Sequence, residues 1–574
     1  MDRGRLSRSS RDATSSRPER DSQRTAPTKP KIGWMDLPNK DQLFLLALCR
    51  LSEPLSNVCL LPYIFYLVRS VLPNKAIESR DAGKDSDSSV PISEYSGLLV
   101  ASFPLAQFAV SLAWGYISDR CGRRQSIIFG LLVSVISNAA FGLSRSLGAL
   151  FFWRTLAGLA NGNVSIMRTM TAEVVKERKF QTKAFLLLPL VFNSGMVLSL
   201  ALGGLLADPV TNLPWAFGPE GFLNFGRNPK GVAWALAYPY SLPGLMNAAM
   251  LGTALALSWL RLRETLPGEE SKSDFGLRIG DFLIRVVRNF MGERDHAEYV
   301  PVNDEESIGL GISSPSSPSS TTTPDSESEG KPPTAANSPH LREKPTPPPA
   351  RLPFRKIWTT KVLTAMMAFG LLPLHNSAFM HIFPVYLSSP PAENSSPTLF
   401  FFSGGLGLRS STIGLWLSAA GIGGILLQLF IYPRLQERIG TLGILKLSLI
   451  IFPFVYGLAP YLSLIDRDSV LRWLSLGVVI CGQIMARTMA IPSTVILLTE
   501  AAPTRTVLGT VHGAGNMISS LARAVGPAVG GMVFGWGIKH GMVGAVWWLY
   551  LVCVALVALV WTVVFQRRGE EDDD

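Results

Sequence analysis

Residues 115–127 read GYISDRCGRRQSI, from Gly115 to Ile127. Asp119, Arg120, Arg123 and Arg124 put four charges into six positions, with a long apolar run on either side. A short charged turn between long greasy segments is what a chain places where it emerges from lipid and re-enters it. The composition agrees, with 47% apolar and 17% charged residues in 574. Polar stretches near the start, middle and end hold much of that charge, so the remainder is more apolar still.

Crossing about 30 Å of hydrocarbon at about 1.5 Å per residue takes roughly 20 apolar residues in helical form. Twelve runs meet this, near 43–68, 94–117, 126–144, 148–173, 183–207, 233–260, 362–387, 411–433, 443–464, 473–499, 509–534 and 543–566. A barrel would need alternating strands of about ten residues, and lipid satisfies no open backbone groups, so the runs are read as helices.

Lysine and arginine set the orientation. The stretch from Met1 to Lys40 holds ten, the turn after span 2 holds Arg120, Arg123 and Arg124, and the loop after span 4 holds Lys176, Arg178, Lys179 and Lys183. The opposite loops are poorer, with only Arg227 and Lys230 in 208–232 and only Arg409 in 388–410. Both termini and the central loop are therefore expected in the cytoplasm. The first 40 residues are basic and Ser-rich, with no apolar core of a cleaved signal, so span 1 would act as its own insertion signal. This asymmetry also accounts for the formal charge of +11, and no nucleic-acid-binding motif is present.

Cys49, Cys59, Cys121, Cys481 and Cys553 are scattered, with no disulfide framework or metal-ligand spacing. The sequon Asn394-Ser395-Ser396 is followed by Pro397, which weakens it. From about Pro267 to Trp358 the apolar pattern stops, and a Pro/Ser/Thr-rich segment there lacks the apolar surface to offset ordering its backbone. Within it FGLRIGDFLIRVVRNFMG (275–292) mixes apolar and basic residues at helical spacing, either a helix on the inner membrane surface or an incidental one. Ser314, Ser317, Thr323 and Ser338 each precede proline and would offer kinases a contact with the loop. The expected organisation is a tail (1–41), a six-helix bundle (42–266), a disordered linker (267–358), a second six-helix bundle (359–566) and a tail (567–574).

The halves repeat. Glu173, Arg178 and Gly203-Gly204 recur as Glu500, Arg505 and Gly530-Gly531, all at an offset of 327 residues. The charged turn has a weaker echo in ERIG, Glu437, Arg438 and Gly440, after span 8. Gly526-Pro527 and the glycine pairs supply close helix approach beside a proline bend.

GYISDRCGRR resembles the motif between spans 2 and 3 of the major facilitator superfamily. Phe152-Trp-Arg154-Thr-Leu-Ala-Gly158 resembles its span 4 motif. Gly195 with Gly203-Gly204, and Gly526-Pro527 with Gly530-Gly531, resemble the span 5 motif of its antiporters, although Ser199-Leu200 stands where Gly-Pro is usual. Ala47–Pro54, Trp153–Asn163, Met167–Met170 and Ala522–Pro527 look like the zinc-induced-facilitator-like branch of twelve-span drug:proton antiporters. The resemblance implies an all-α membrane protein of twelve transmembrane helices in two pseudo-symmetric bundles, acting as a monomer that exchanges a small solute for protons at a plasma or vacuolar membrane. It also implies that Asp119 faces the start of span 11, and that the arginines of the turn reach Glu173, closing a cytoplasmic latch. Gly115, Arg120 and Gly122 complete that turn.

Ionisable residues inside a bilayer are costly and mark function. Arg50, Glu53 and Asn57 fall on one face of span 1, with Glu53 near the midplane. Burial penalises a charged carboxylate, as a proton carrier requires, while Arg50 favours it, so Glu53 is read either as proton carrier or as half of a fixed ion pair. Arg154, Arg168 and Arg523 would pair with acids or hold an anionic group of the solute. Asn193, His375 and Asn376 are further pathway candidates, and His375 and His381 are too far apart around their helix for one metal site. Gly421-Ile-Gly423-Gly424 lies in a span, without the strand and Lys-Ser/Thr of a phosphate loop, and is read as packing. No cofactor, metal site, hydrolase triad or nucleotide site is expected. Three functions stay open: proton-coupled export, proton-coupled uptake, and a transport-inactive sensor signalling through its central loop.

Overall fold

The computed structural model describes residues 37–72, 89–175, 177–266, 275–290, 354–391, 398–402, 404–504 and 507–571. The basic tail, the Ser/Thr-Pro sites, the 394–396 sequon and Arg505 lie outside them.

Twelve helical runs follow one another among these residues. Span 1 is built from Lys40–Arg50, Ser52–Asn57 and Ile64–Val71. Spans 2 to 6 are Ser89–Cys121, Arg123–Gly142, the pair Leu147–Ala160 and Asn163–Val174, Arg178–Leu206, and Ser241–Arg261. Spans 7 and 8 are Thr360–Ser388 and Ser410–Leu426, the latter continuing through Leu427–Ile431. Span 9 lies within Tyr432–Leu458, and spans 10 and 11 are Val470–Glu500 and Leu508–Lys539. Span 12 starts at Val543–Val546 and ends with Cys553–Glu571.

Among the described residues, eight helical segments are long and apolar enough to cross a bilayer unaided, and one of them, the 55 residues Ser410–Leu464, holds spans 8 and 9. Span 2 passes only as a bent pair of helices. Spans 1 and 4 are interrupted, each for a local reason. Pro54 and Pro62 withhold backbone donors in span 1, and Asn161-Gly162 splits span 4 where the Trp114 ring leaves no space for a Cβ on Gly162. Span 6 begins at Ser241, later than the apolar run suggests. Pro239 biases Tyr238 away from helix, so Ala233–Ala237 stands apart as a short helix. The two charged turns fold alike: Gly122 has φ 95° and Gly440 has φ 71°, a region other residues rarely adopt.

The packing repeats with a period of six spans. Span 1 lies on span 5, span 2 on span 4, and span 3 on spans 4 and 6; span 7 lies on span 11, span 8 on span 10, and span 9 on spans 10 and 12. Across the halves, span 2 meets span 11 and span 5 meets span 8, the pairs that a pseudo-two-fold axis exchanges. Phe129, Phe152, Phe454 and Leu549 point outward and exposed, an apolar girdle suited to hydrocarbon.

The face carrying Lys40 and the 119–124 turn is called the near face here, and the opposite one the far face. Helix Phe275–Phe290 lies at the near face against span 6, so closely that a Cβ on Gly276 would sit 2.5 Å from the Trp259 carbonyl oxygen. Its Phe275, Phe282, Leu283 and Val286 remain exposed.

Candidate functional site

Three features are built by these elements: a charge cluster in the middle of the spans, a charged turn on the near face, and a seal of small residues on the far face.

The cluster centres on Glu53, which is 4% exposed. One carboxylate oxygen accepts from Arg50 Nη1 at 2.5 Å, and the other accepts from Arg523 Nη1 of span 11 at 2.8 Å. Arg523 Nη2 also donates to Gln107 Oε1 of span 2 and to Ser520 Oγ, both at 3.1 Å. Gln107 Nε2 in turn donates to the Asn161 carbonyl, at the break in span 4. Glu53 therefore ties span 1 to the second half, through a buried ion pair whose one-sided loss is costly. Arg168 lies within electrostatic reach of Arg50, Glu53 and Arg523.

Arg154, expected to pair with an acid or to hold an anionic group of the solute, contacts carbonyls of span 1 in this structure. Its guanidinium donates to the Ser56 carbonyl, and from Nη2 to the Asn57 carbonyl at 2.9 Å and to Asn57 Oδ1 at 3.0 Å. Helix Ser52–Asn57 ends there, leaving carbonyls without intrahelical donors, and Arg154 caps them. Asn57 is likewise engaged with Arg154 and not with Glu53.

His375 is 1% exposed, with Nδ1 2.9 Å from the Tyr456 hydroxyl and its ring 4.8 Å from that of Phe452. It is an interior residue of the second half. Asn376 Oδ1 accepts from Gln483 Nε2 at 2.9 Å. No group of three metal-ligating side chains occurs among the described residues.

A small cavity of about 30 Å³ lies between span 5 and spans 7, 8 and 10. Asn193 lines it and donates to Gln428 Oε1 at 2.6 Å, across the halves. Arg487 of span 10 lines it too, and no motif pointed to this residue. Its only signal in the sequence was a cation inside an apolar run.

In the turn, Arg123 pairs with Glu173 of span 4, whose other oxygen accepts from Thr265 Oγ1 at 2.7 Å. The backbone N–H groups of Arg123 and Arg124 each donate to a carboxylate oxygen of Glu264 at 3.0 Å. Glu264 thus caps the start of span 3, where helical N–H groups lack partners. It was missed because it sits 140 residues downstream in a loop without motif. Arg124 Nη2 donates to the Trp259 carbonyl at 2.8 Å, and the Arg120 guanidinium lies 4.3 Å from the Tyr116 ring centroid. Asp119 is 70% exposed, and its described ionic partner is Arg123 at 3.8 Å. Glu437, Arg438 and Glu500 are exposed, and Arg178 opens span 5. Gly115 has open space around it.

The far face is closed. A Cβ on Gly204 would stand 2.5 Å from the Ser410 carbonyl oxygen and 2.8 Å from Gly414 Cα; one on Gly97 would stand 2.5 Å from the Pro527 carbonyl oxygen and 2.9 Å from Gly531 Cα. Ser93 Oγ donates to the Gly531 carbonyl at 3.0 Å, and Tyr66 Oη to the Leu408 carbonyl at 2.5 Å. The other small residues act within one half: Gly195 faces Leu51 and Pro54, Gly203 faces Cys59, Gly526 faces Leu374 and Ser377, and Gly530 faces Ile382.

Comparison with known proteins gives the family and the fold. The Major Facilitator Superfamily model matches residues 59–390. The Major facilitator superfamily multidrug transporter mfsB of Aspergillus fumigatus is 31% identical over 526 residues, covering 91% of this chain and 83% of that protein. Protein ZINC INDUCED FACILITATOR 1 of Arabidopsis thaliana is 24% identical over 502 residues, covering 85% and 82%. Among solved structures, a D-xylose-proton symporter superposes with a TM-score of 0.57 at 12% identity, covering 91% of this chain and 97% of that one, a likeness of fold.

Proposed function

The chain belongs to the major facilitator superfamily, and on that premise we propose that it exports a small solute in exchange for protons, with Glu53 as the coupling carboxylate. It is a membrane transporter and not an enzyme. The observation carrying the finer reading is the Glu53–Arg523 pair, which joins span 1 to span 11 in the middle of the membrane. A proton on Glu53 removes the charge that Arg523 answers, and the tie between the halves weakens with it. Solute release and proton uptake then alternate as one half rocks on the other.

Export is favoured over uptake because a relative covering most of the chain is named a multidrug transporter. In this conformation the near-face latch stands open, and Asp119 is the residue left to engage the start of span 11 when that face closes. Helix Phe275–Phe290, with its exposed apolar row, fits the headgroup boundary of the same leaflet.

The test uses proteoliposomes and a panel of cationic, neutral and anionic fluorescent dyes, with and without an imposed pH gradient. Wild-type protein should move at least one dye against its gradient when the pH gradient is present. Glu53→Gln should abolish that movement and keep downhill counterflow of the same dye. Undiminished pH-driven flux in Glu53→Gln would remove Glu53 from the coupling, flux in the same direction as protons would make the protein a symporter, and no flux at all would favour a sensor.

A further inference from the structure

The cavity between span 5 and spans 7, 8 and 10 holds a cation with no acid to answer it. Arg487 lines it, and its one described polar contact is a donation from Nη2 to the Sδ of Met196 at 2.9 Å. Sulfur in a thioether is a weak acceptor and no substitute for a carboxylate. No acidic side chain lines the cavity. The rest of the wall is apolar and aromatic, including Phe379, Phe383, Leu417 and Ile480, while Asn193 and Gln483 supply amides. Gln483 is 2% exposed; its Nε2 is spent on Asn376, and its Oε1 is buried without a partner.

Leaving a guanidinium unpaired inside a membrane is expensive, and it persists where a ligand completes the pair. We propose that this cavity is the solute site and that its solute is an amphipathic organic anion, a carboxylate or sulfonate on an apolar body that also carries a hydrogen-bond donor. The acid group takes a forked pair of hydrogen bonds from Arg487, whose planar geometry suits two-oxygen acceptors. The donor meets Gln483 Oε1, and the apolar body lies among Phe379, Phe383 and Ile480. In this conformation the cavity is about 30 Å³, room for a water, so the solute is admitted only as the two halves part around Arg487, Phe379 and Phe383. The idea rests on the reading of the chain as a solute transporter and adds the class of solute.

Equilibrium binding tests it without any need for flux. Purified full-length protein in nanodiscs is titrated with 4-anilinobutyrate and 4-anilinobutanesulfonate, which join an acid, an aromatic ring and an N–H donor, and with the uncharged 4-anilinobutyramide. The acids should bind the wild type at least about tenfold more tightly than the amide, as expected where a charged group is lost from a hydrogen bond. Arg487→Gln should lose that preference and Arg487→Lys should keep part of it, with both variants running as single symmetric peaks on size exclusion. Equal affinity for acid and amide in the wild type, failure of both acids to bind it, or an unchanged preference in Arg487→Gln overturns the proposal. If the acids bind through Arg487 and yet no pH gradient drives any solute, the proton-coupled reading fails and the anion site stands.

Discussion

Adding one methyl group at the far-face crossings should unlock them. In Gly204→Ala the new Cβ stands 2.5 Å from the Ser410 carbonyl oxygen and 2.8 Å from Gly414 Cα, and in Gly97→Ala it stands 2.5 Å from the Pro527 carbonyl oxygen and 2.9 Å from Gly531 Cα. All four obstacles are backbone atoms, so no side chain can rotate aside, and carbon contacts are comfortable only at about 3.5–4.0 Å. The helices must separate by several tenths of an ångström, at an overpacking cost of about 1–3 kcal/mol per site. The clash exists only while the far face is shut, so the cost falls on that conformer alone. The ratio of far-closed to far-open molecules should fall roughly 5- to 150-fold for each change, and further for the double variant because the two crossings are separate. Spin labels at the exposed far-face positions Glu220 and Lys539, in a background lacking the exposed cysteines Cys121, Cys481 and Cys553, report the separation of the halves by double electron–electron resonance. The longer-distance population should grow in both variants. Distance distributions that superimpose on the parent protein would refute the claim that these glycines set the closed state.

Glu264→Gln keeps the shape of the cap on span 3 and removes its charge, so thermal stability should fall by about 1 kcal/mol, the typical worth of an N-terminal cap, measured by scanning fluorimetry in detergent. Arg154→Met leaves the Ser56 and Asn57 carbonyls buried and unanswered, each at about 1–3 kcal/mol; folded yield should drop sharply by fluorescence-detected size exclusion, and a normal yield would show that the break in span 1 is satisfied another way.

The large-scale order of this fold was legible because lipid is an unforgiving solvent. Length and apolarity mark the spans, and the turn glycines at 122 and 440 mark sharp reversals that only a residue without a Cβ makes easily. The repeat at offset 327 anticipated Gly204 and Gly531 as contact points, although not that each belongs to a crossing between halves. The partners on the second side of those crossings, Gly414 and Gly97, carried no motif and were invisible. The site was legible by residue type more than by pairing. An arginine in an apolar run announces a cost, and only coordinates say what meets it: a carboxylate for Arg523, stranded carbonyls for Arg154, and for Arg487 a thioether that leaves its charge unanswered. The capping role of Glu264 could not be read either, since a loop carboxylate acquires it only once span 6 has packed on span 3.

The distribution of partners at the near face bears on how a latch can open at tolerable cost. If Arg123 and Arg124 relied on the second half for their counter-charges, opening would strand two partly buried guanidiniums, each worth several kcal/mol if left unpaired. They do not rely on it, because Glu173, Glu264 and the Trp259 carbonyl, all of the first half, answer their side chains and backbone. Asp119 alone is left over, and it is 70% exposed, where water solvates it at little cost. The contact proposed to form on closure is therefore one carboxylate against one helix terminus, typically about 0.3–1 kcal/mol and up to about 2 kcal/mol where partly buried. That is small enough to reverse. A transporter needs its two gates to be matched in this way, since a gate stronger than its counterpart by about 5.5 kcal/mol would hold the protein in a single state.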